Sequence, residues 1–140
     1  MEKNYDLQVR PVEQEDSDFW FSLDKHLSIC EFAKKVRDRQ GYVLCLNSKP
    51  IGILRYNLFW DNIPFCTLLF IDSLYRNRGF GKVLMEYWEN DMRSLGYGVV
   101  LVSTQADEEA QHFYRKIGYN DCGRLNIANQ ETELFLSKYF

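Results

Sequence analysis

Phe65–Gly96, which reads FCTLLFIDSLYRNRGFGKVLMEYWENDMRSLG, decides how this chain is to be read. Phe65 to Ile71 is an apolar run short enough to be a buried strand. From Phe80 onward the apolar residues recur at helical spacing: Phe80, Val83, Leu84, Tyr87, Trp88, Met92 and Leu95, with Gly96 as a C-terminal cap. Between them lies Arg76-Asn77-Arg78-Gly79-Phe80-Gly81-Lys82. A strand that feeds a glycine-containing turn and then a helix start is a place to hold an anion. Backbone N–H groups point out of such a turn, and the helix dipole adds partial positive charge. Gly79 and Gly81 lack Cβ atoms, so a phosphate can approach the backbone closely. Arg76, Arg78 and Lys82 add full charges. The segment reads as a pyrophosphate cradle, with the rest of the chain as its support.

Upstream, Leu7 to Arg10 alternates and stops at Pro11, a short first strand. The acidic segment Glu13 to Asp18 puts capping side chains and negative charge at a helix start, with Phe19, Trp20 and Leu23 as its apolar stripe. A second helix is expected over Ile29 to Arg39, with Ile29, Phe32, Ala33 and Val36 inward and Gly41 as its stop. Tyr42 to Leu46 and Ile51 to Phe59 form a hairpin about an Asn47-Ser48-Lys49-Pro50 turn. The loop Trp60 to Pro64 leads into the central strand. Downstream, Val99 to Ser103 is almost continuously apolar, the pattern of a strand covered on both faces. Asp107-Glu108-Glu109 opens a helix carrying Ala110, Phe113, Tyr114 and Ile117 and stopping at Gly118. Two more strands are expected, Tyr119 to Asn126 and Glu131 to Lys138, about an Ala128-Asn129-Gln130 turn. The order β-α-α-β-β-β-α-β-α-β-β calls for a mixed α/β architecture: one sheet of six to seven strands flanked by helices. The two strands joined through the long helix should be parallel.

At 140 residues the chain is expected to be one domain, residues 1–140. Its 46% hydrophobic and 16% aromatic content suffices for a packed core and leaves rings over for a lined cleft. A net charge of −3 with mixed signs argues against a nucleic-acid partner held by bulk charge. No apolar run reaches the length of a membrane span, and MEKNYDLQ has no signal-peptide pattern. The expected location is therefore the cytoplasm, with no membrane partner. Cys30, Cys45, Cys66 and Cys122 are widely spaced, which favours reduced, mostly buried thiols over a metal site.

Two motifs at this spacing resemble the GNAT superfamily of N-acetyltransferases. Arg76-x-x-Gly79-x-Gly81 is similar to that family's acyl-CoA pyrophosphate loop. Asp107-Glu108-Glu109-Ala110-Gln111-His112-Phe113-Tyr114-Arg115-Lys116-Ile117-Gly118-Tyr119 is similar to its later N-x-x-A-x-x-F-Y segment, with Asp107 in place of the usual Asn. The element order also resembles the family's fold, so the likeness covers nearly the whole chain. It implies acetyl-CoA as acetyl donor, lying in a V-shaped opening between the two central parallel strands, and no metal. The pantetheine arm would pair with backbone groups at Leu69, Phe70 and Ile71. The pyrophosphate would sit on the N–H groups from Asn77 through Arg78, Gly79, Phe80 and Gly81 to Lys82. An N–H close to Ile71 would polarise the thioester carbonyl. Tyr114, beside Phe113, matches the tyrosine that protonates the departing thiolate in many relatives. An amine acceptor would attack directly, so no cysteine need be catalytic. Homodimerisation is a habit of the family that the sequence does not establish.

A phenol with a pKa of about 10 lies near a thiol leaving group, which supports Tyr114 as a general acid independently. An amphipathic-helix aromatic explains it as well. Asp107 keeps a side-chain acceptor but loses the amide donor; it serves equally as cofactor contact or helix N-cap. Relatives often place a base on the strand that here reads Val99 to Thr104, which holds no carboxylate. Asp72 and Asp61 are alternatives, each also explained as a turn residue. Tyr56, Phe59 and Trp60 could wall an acceptor pocket or simply cover the core. The acidic residues Glu13, Glu15, Asp16 and Asp18 could attract a cation or cap a helix. His26 and His112 are expected to be exposed. The competing function is a non-catalytic acyl-CoA-binding module. A different phosphate-binding α/β domain fits less well, because neither G-x-x-x-x-G-K-[ST] nor G-x-G-x-x-G is present.

Overall fold

The computed structural model describes residues 5–140. Its elements are β1 (Leu7–Pro11), α1 (Ser17–Leu23), α2 (Ile29–Asp38), β2 (Gly41–Leu46), β3 (Lys49–Phe59), β4 (Ile63–Ile71), α3 (Phe80–Ser94), β5 (Val99–Gln105), α4 (Ala110–Lys116), β6 (Asn120–Leu125) and β7 (Glu133–Tyr139). The strands form one mixed sheet in the order β1-β2-β3-β4-β5-β7-β6. β4 and β5, joined through α3, are parallel, with Phe65 opposite Leu101 and Cys66 opposite Val102. β7 pairs antiparallel with both β5 and β6, so the last strand lies inside the sheet and β6 takes the edge. Contacts divide the chain into two compact units. One holds the residues up to Tyr56 with Leu68–Trp88, the other Asn57–Thr67 with Glu89–Phe140.

In the first unit, buried Val12, Trp20, Phe32, Val43, Cys45 and Ile53 form a core to which Leu68 and Phe70 add half-buried surface. Ser28 caps α2, its hydroxyl accepting the Glu31 N–H at 3.1 Å. The helix turns a different face inward from the one expected. Ile29 is 77% exposed and Ala33 is exposed, while Phe32 and Lys35 are buried. Lys35 can lie inward because its Nζ donates to the Tyr56 carbonyl at 2.7 Å. Gly41 is not the helix stop; Arg39, at φ 56°, makes that turn. Gly41 instead opens β2, where a Cβ would meet Val12 Cγ1 at 2.9 Å and Trp20 Cη2 at 3.2 Å. The hairpin loop is shorter than expected, because Asn47 (φ 50°) and Ser48 (φ 69°) alone make a two-residue turn. Pro50 thus falls inside β3, opposite Cys45 where the ladder shifts register.

α3 is amphipathic as its spacing predicts, but Met85 and Glu89 are buried where Tyr87 and Leu95 were expected; those two are exposed. In the second unit β5 is not evenly covered. Val100, Val102 and Thr104 are buried, whereas Val99, Leu101 and Ser103 are half-buried. Glu89 is paid for within this unit: Tyr119 donates its hydroxyl to Oε2 and Lys138 its Nζ to Oε1, each at 2.8 Å. Lys138 also donates to the Ile117 carbonyl at 2.8 Å, and its stem lies over Gly118, which holds a φ of 103°.

Candidate functional site

The cradle lies in the first unit. β4 ends at Ile71, and Asp72 caps the following 3-10 turn by accepting the Leu74 N–H at 3.3 Å. Asn77 (φ 62°) and Gly79 (φ 84°) are both left-handed, the backbone geometry that turns N–H groups toward one concave side. Asn tolerates that conformation; at Gly79 a Cβ would meet no atom within 4 Å among the described residues, so the loop is open there. The N–H groups of Gly79, Phe80, Gly81 and Lys82 donate to no acceptor among the described residues, as expected before and in the first turn of α3. The cations differ in how firmly they are held. Arg76 donates Nε to the Ile71 carbonyl at 2.9 Å, and its guanidinium lies 4.7 Å from the Phe70 ring centre. It is thereby fixed against the end of β4. Arg78 lies over Tyr75 at 5.7 Å, and Lys82 faces Glu86 on the exposed side of α3 at 3.9 Å. Several unpaired N–H donors, an open glycine and clustered cations are the kinds of group that suit a phosphate-type anion.

Asp107, Phe113 and Tyr114 lie in the second unit. Asp107 is exposed in the turn after β5 and does not cap α4, whose N-cap is Glu109. That turn is held instead by Gln111, which donates Nε2 to the carbonyls of Ala106 (2.8 Å) and Glu108 (3.0 Å). Tyr114 is the inward member of its pair: it is only 6% exposed while Phe113 is half-buried. Its ring meets Tyr119 edge-on at 5.9 Å. Its hydroxyl makes no hydrogen bond among the described residues. Burial, then the charges of Cys66, Glu108 and Glu133, push the phenol well above its ordinary value, so it stays protonated. A protonated phenol can donate a hydrogen bond or a proton.

The remaining candidates separate. Tyr56 is buried in the first unit, stacked on Tyr42 at 6.3 Å and tilted on Trp88 at 5.9 Å. Asp61 is exposed in the β3–β4 turn, and His26 and His112 are exposed. Asp16 is occupied by Arg10 in a two-point pair, both contacts at 2.7 Å. Cys45 and Cys66 are buried thiols, Cys30 and Cys122 exposed ones. Among the described residues no cluster of His, Cys, Asp and Glu could hold a metal, and no helix is long and apolar enough to cross a membrane. Sequence reasoning missed Glu89, Lys138, Asp24 and Arg55. A carboxylate at an inward position of an amphipathic helix was the available signal for Glu89; nothing local marks its partners.

The acetyltransferase (GNAT) family profile matches residues 2–119. The chain belongs to this family of acetyltransferases. Solved structures agree in fold. Ard1 from Thermoplasma volcanium superposes with a TM-score of 0.84 at 15% identity, covering 95% of this chain and 97% of that one. The ribosomal-protein-S18-alanine N-acetyltransferase from Escherichia coli gives 0.80 at 16% identity, covering 95% and 93%. The PaiA N-acetyltransferase from Thermoplasma acidophilum, in complex with coenzyme A, gives 0.73 at 13% identity, covering 96% and 99%. None of the curated proteins matches the sequence significantly.

Proposed function

We propose that this chain transfers the acetyl group of acetyl-CoA to a primary amine, working as one catalytic domain. The observation that carries the reading is the cradle: unpaired N–H groups from Gly79 to Lys82, an open left-handed glycine, and Arg76 fixed beside it. These residues fit a pyrophosphate. Leu69, Phe70 and Ile71 would hold the pantetheine arm and the thioester carbonyl. The acceptor, bound as an ammonium, first gives one proton to solvent. Its neutral nitrogen then attacks the carbonyl carbon, the carbon–sulfur bond breaks, and the CoA sulfur leaves with the proton of Tyr114. Tyr114 regains its proton as the new amide nitrogen sheds one to solvent or to a nearby base.

The test is a thermal-shift titration with acetyl-CoA, CoA, ATP and NAD in parallel. At about 100-fold excess over Kd, binding to the native state adds about 2.7 kcal/mol of stability. A shift with acetyl-CoA and CoA alone fixes the donor; a larger shift with ATP or NAD removes it. Thiol release with an amine panel then separates an enzyme from a module that only binds CoA. Tyr114→Phe should lower kcat by about 100-fold and leave CoA affinity nearly unchanged. Because burial raises the phenol, the wild-type rate should show no loss from Tyr114 ionisation below about pH 10. An unchanged kcat in the variant takes Tyr114 out of the mechanism.

A further inference from the structure

A row of aromatic rings crosses three strands of the second unit. Phe59 lies 4.7 Å from Trp60 and 6.3 Å from Phe65, and Phe65 lies 5.6 Å from Phe135. The strand register accounts for the row: Phe65 is opposite Leu101 on β5, and Ser103, two residues on, is opposite Phe135 on β7. These positions alternate with the buried Val100, Val102 and Thr104, so they share the more open face of the strands. Trp60 is 77% exposed, and Phe59, Phe65 and Phe135 are half-buried.

Carboxylates stand at both ends of the row. Asp61 follows Trp60 in the exposed turn, and Glu133 precedes Phe135 by two residues on the same face of β7. Neither carboxylate has an ion pair or side-chain hydrogen bond among the described residues. Glu133 is half-buried, where a carboxylate without a cation is costly. Aromatic faces also attract cations. Flat apolar surface between anionic ends is complementary to an organic ammonium. A polar amine would leave the rings without apolar surface to cover. Glu133 is also near enough to Tyr114 for its charge to contribute to raising the phenol, after burial and the charges of Cys66 and Glu108.

We propose that Phe59, Trp60, Phe65 and Phe135 form the acceptor surface, taking an ammonium that carries an aromatic or similarly flat apolar group, with Glu133 on the charge. This rests on the acetyl-transfer reading above. The ligand chemistry is shared by a free arylalkylamine and by a peptide that begins with an aromatic residue.

The test uses the full chain with CoA and saturation-transfer NMR. The probes are 2-phenylethylamine, ethanolamine and a short peptide beginning with phenylalanine. 2-Phenylethylamine should bind at least about tenfold more tightly than ethanolamine. Trp60→Ala and Phe135→Ala should each cut that preference by about fivefold. Glu133→Gln should weaken both amines. Trp60 is exposed, so a preference lost in its variant is not an effect of unfolding. The tighter of arylamine and peptide identifies the source, and either upholds the proposal. Equal binding of the two amines overturns it, as does a preference that survives both alanine variants. Acetyl transfer is read in parallel samples in which acetyl-CoA replaces CoA. Arylamine binding without transfer upholds the surface and removes the acetyl-transfer reading. Transfer to ethanolamine with no arylamine preference does the reverse.

Discussion

Gly79→Val should weaken CoA binding by about 100-fold or more while leaving the protein folded. Two effects act together. Gly79 holds a φ of 84°, which a β-branched residue adopts at a cost of about 1–2 kcal/mol, so the loop will relax away from its present path. Whatever path it keeps, the valine side chain projects into the open space that a phosphate would need. The strain alone should lower the melting temperature by only a few degrees, since no neighbour lies within 4 Å to be displaced. Gly96→Val is the matched control. Gly96 has a φ of 94° and is equally open, but it caps the opposite end of α3. It should cost similar stability and leave CoA affinity alone. Calorimetric titration of both variants decides the matter: retained affinity in Gly79→Val places the anion elsewhere.

Asp24→Asn should cost about 3 kcal/mol of folding stability, the scale for removing one charge from a buried pair. Asp24 is 2% exposed and joins the end of α1 to β3 and to the chain entering α2. It accepts from Arg55 Nε at 2.8 Å, Trp20 Nε1 at 3.1 Å, and the backbone N–H groups of His26 (3.1 Å) and Leu27 (3.3 Å). Burial alone would raise its pKa. The hydrogen bonds from Arg55 and His26, the Arg55 charge and the Trp20 N–H together outweigh burial and hold it below the ordinary value. The folded-state pKa therefore lies under the unfolded value of about 4. The Asp24 contribution is complete above that pH and is lost as pH falls through the folded-state pKa. Urea unfolding at several pH values should show a wild-type advantage over the variant that is constant near neutrality and shrinks in acid below about pH 4. A constant gap across that range would mean that Asp24 contributes through shape rather than charge.

Much of the fold was legible because its signals are local. The cradle follows from a strand, a glycine turn and a helix start within 32 residues, Phe65–Gly96, and its left-handed Gly79 is where a glycine was needed. Strand existence, the mixed sheet and the parallel β4–β5 pair also followed from pattern and connection length. Boundaries were less legible. Asn47-Ser48 closes the first hairpin without Pro50, and α4 starts at Ala110 because Gln111 ties down the preceding turn. The faces of α2 and α3 were misread at Ile29, Ala33, Tyr87 and Leu95 because a period shows that a stripe exists, not which flanking residue falls inside it.

The sequence by itself determined the succession of elements, the glycine turn before α3 and the motif that carries Tyr114, since each depends on residues close together in the chain. Only the tertiary structure decided what depends on distant residues meeting. Tyr114 is the buried member of its pair because Tyr119 comes against its ring. Glu89 can be buried because Tyr119 and Lys138, 30 and 49 residues away, supply its donors. Tyr56 turns to Tyr42 and Trp88 while Phe59 turns to Phe65, and Phe65 and Phe135 meet although 70 positions separate them. Burial and pairing are set by which strands become neighbours, and register, unlike period, is not written in any one segment.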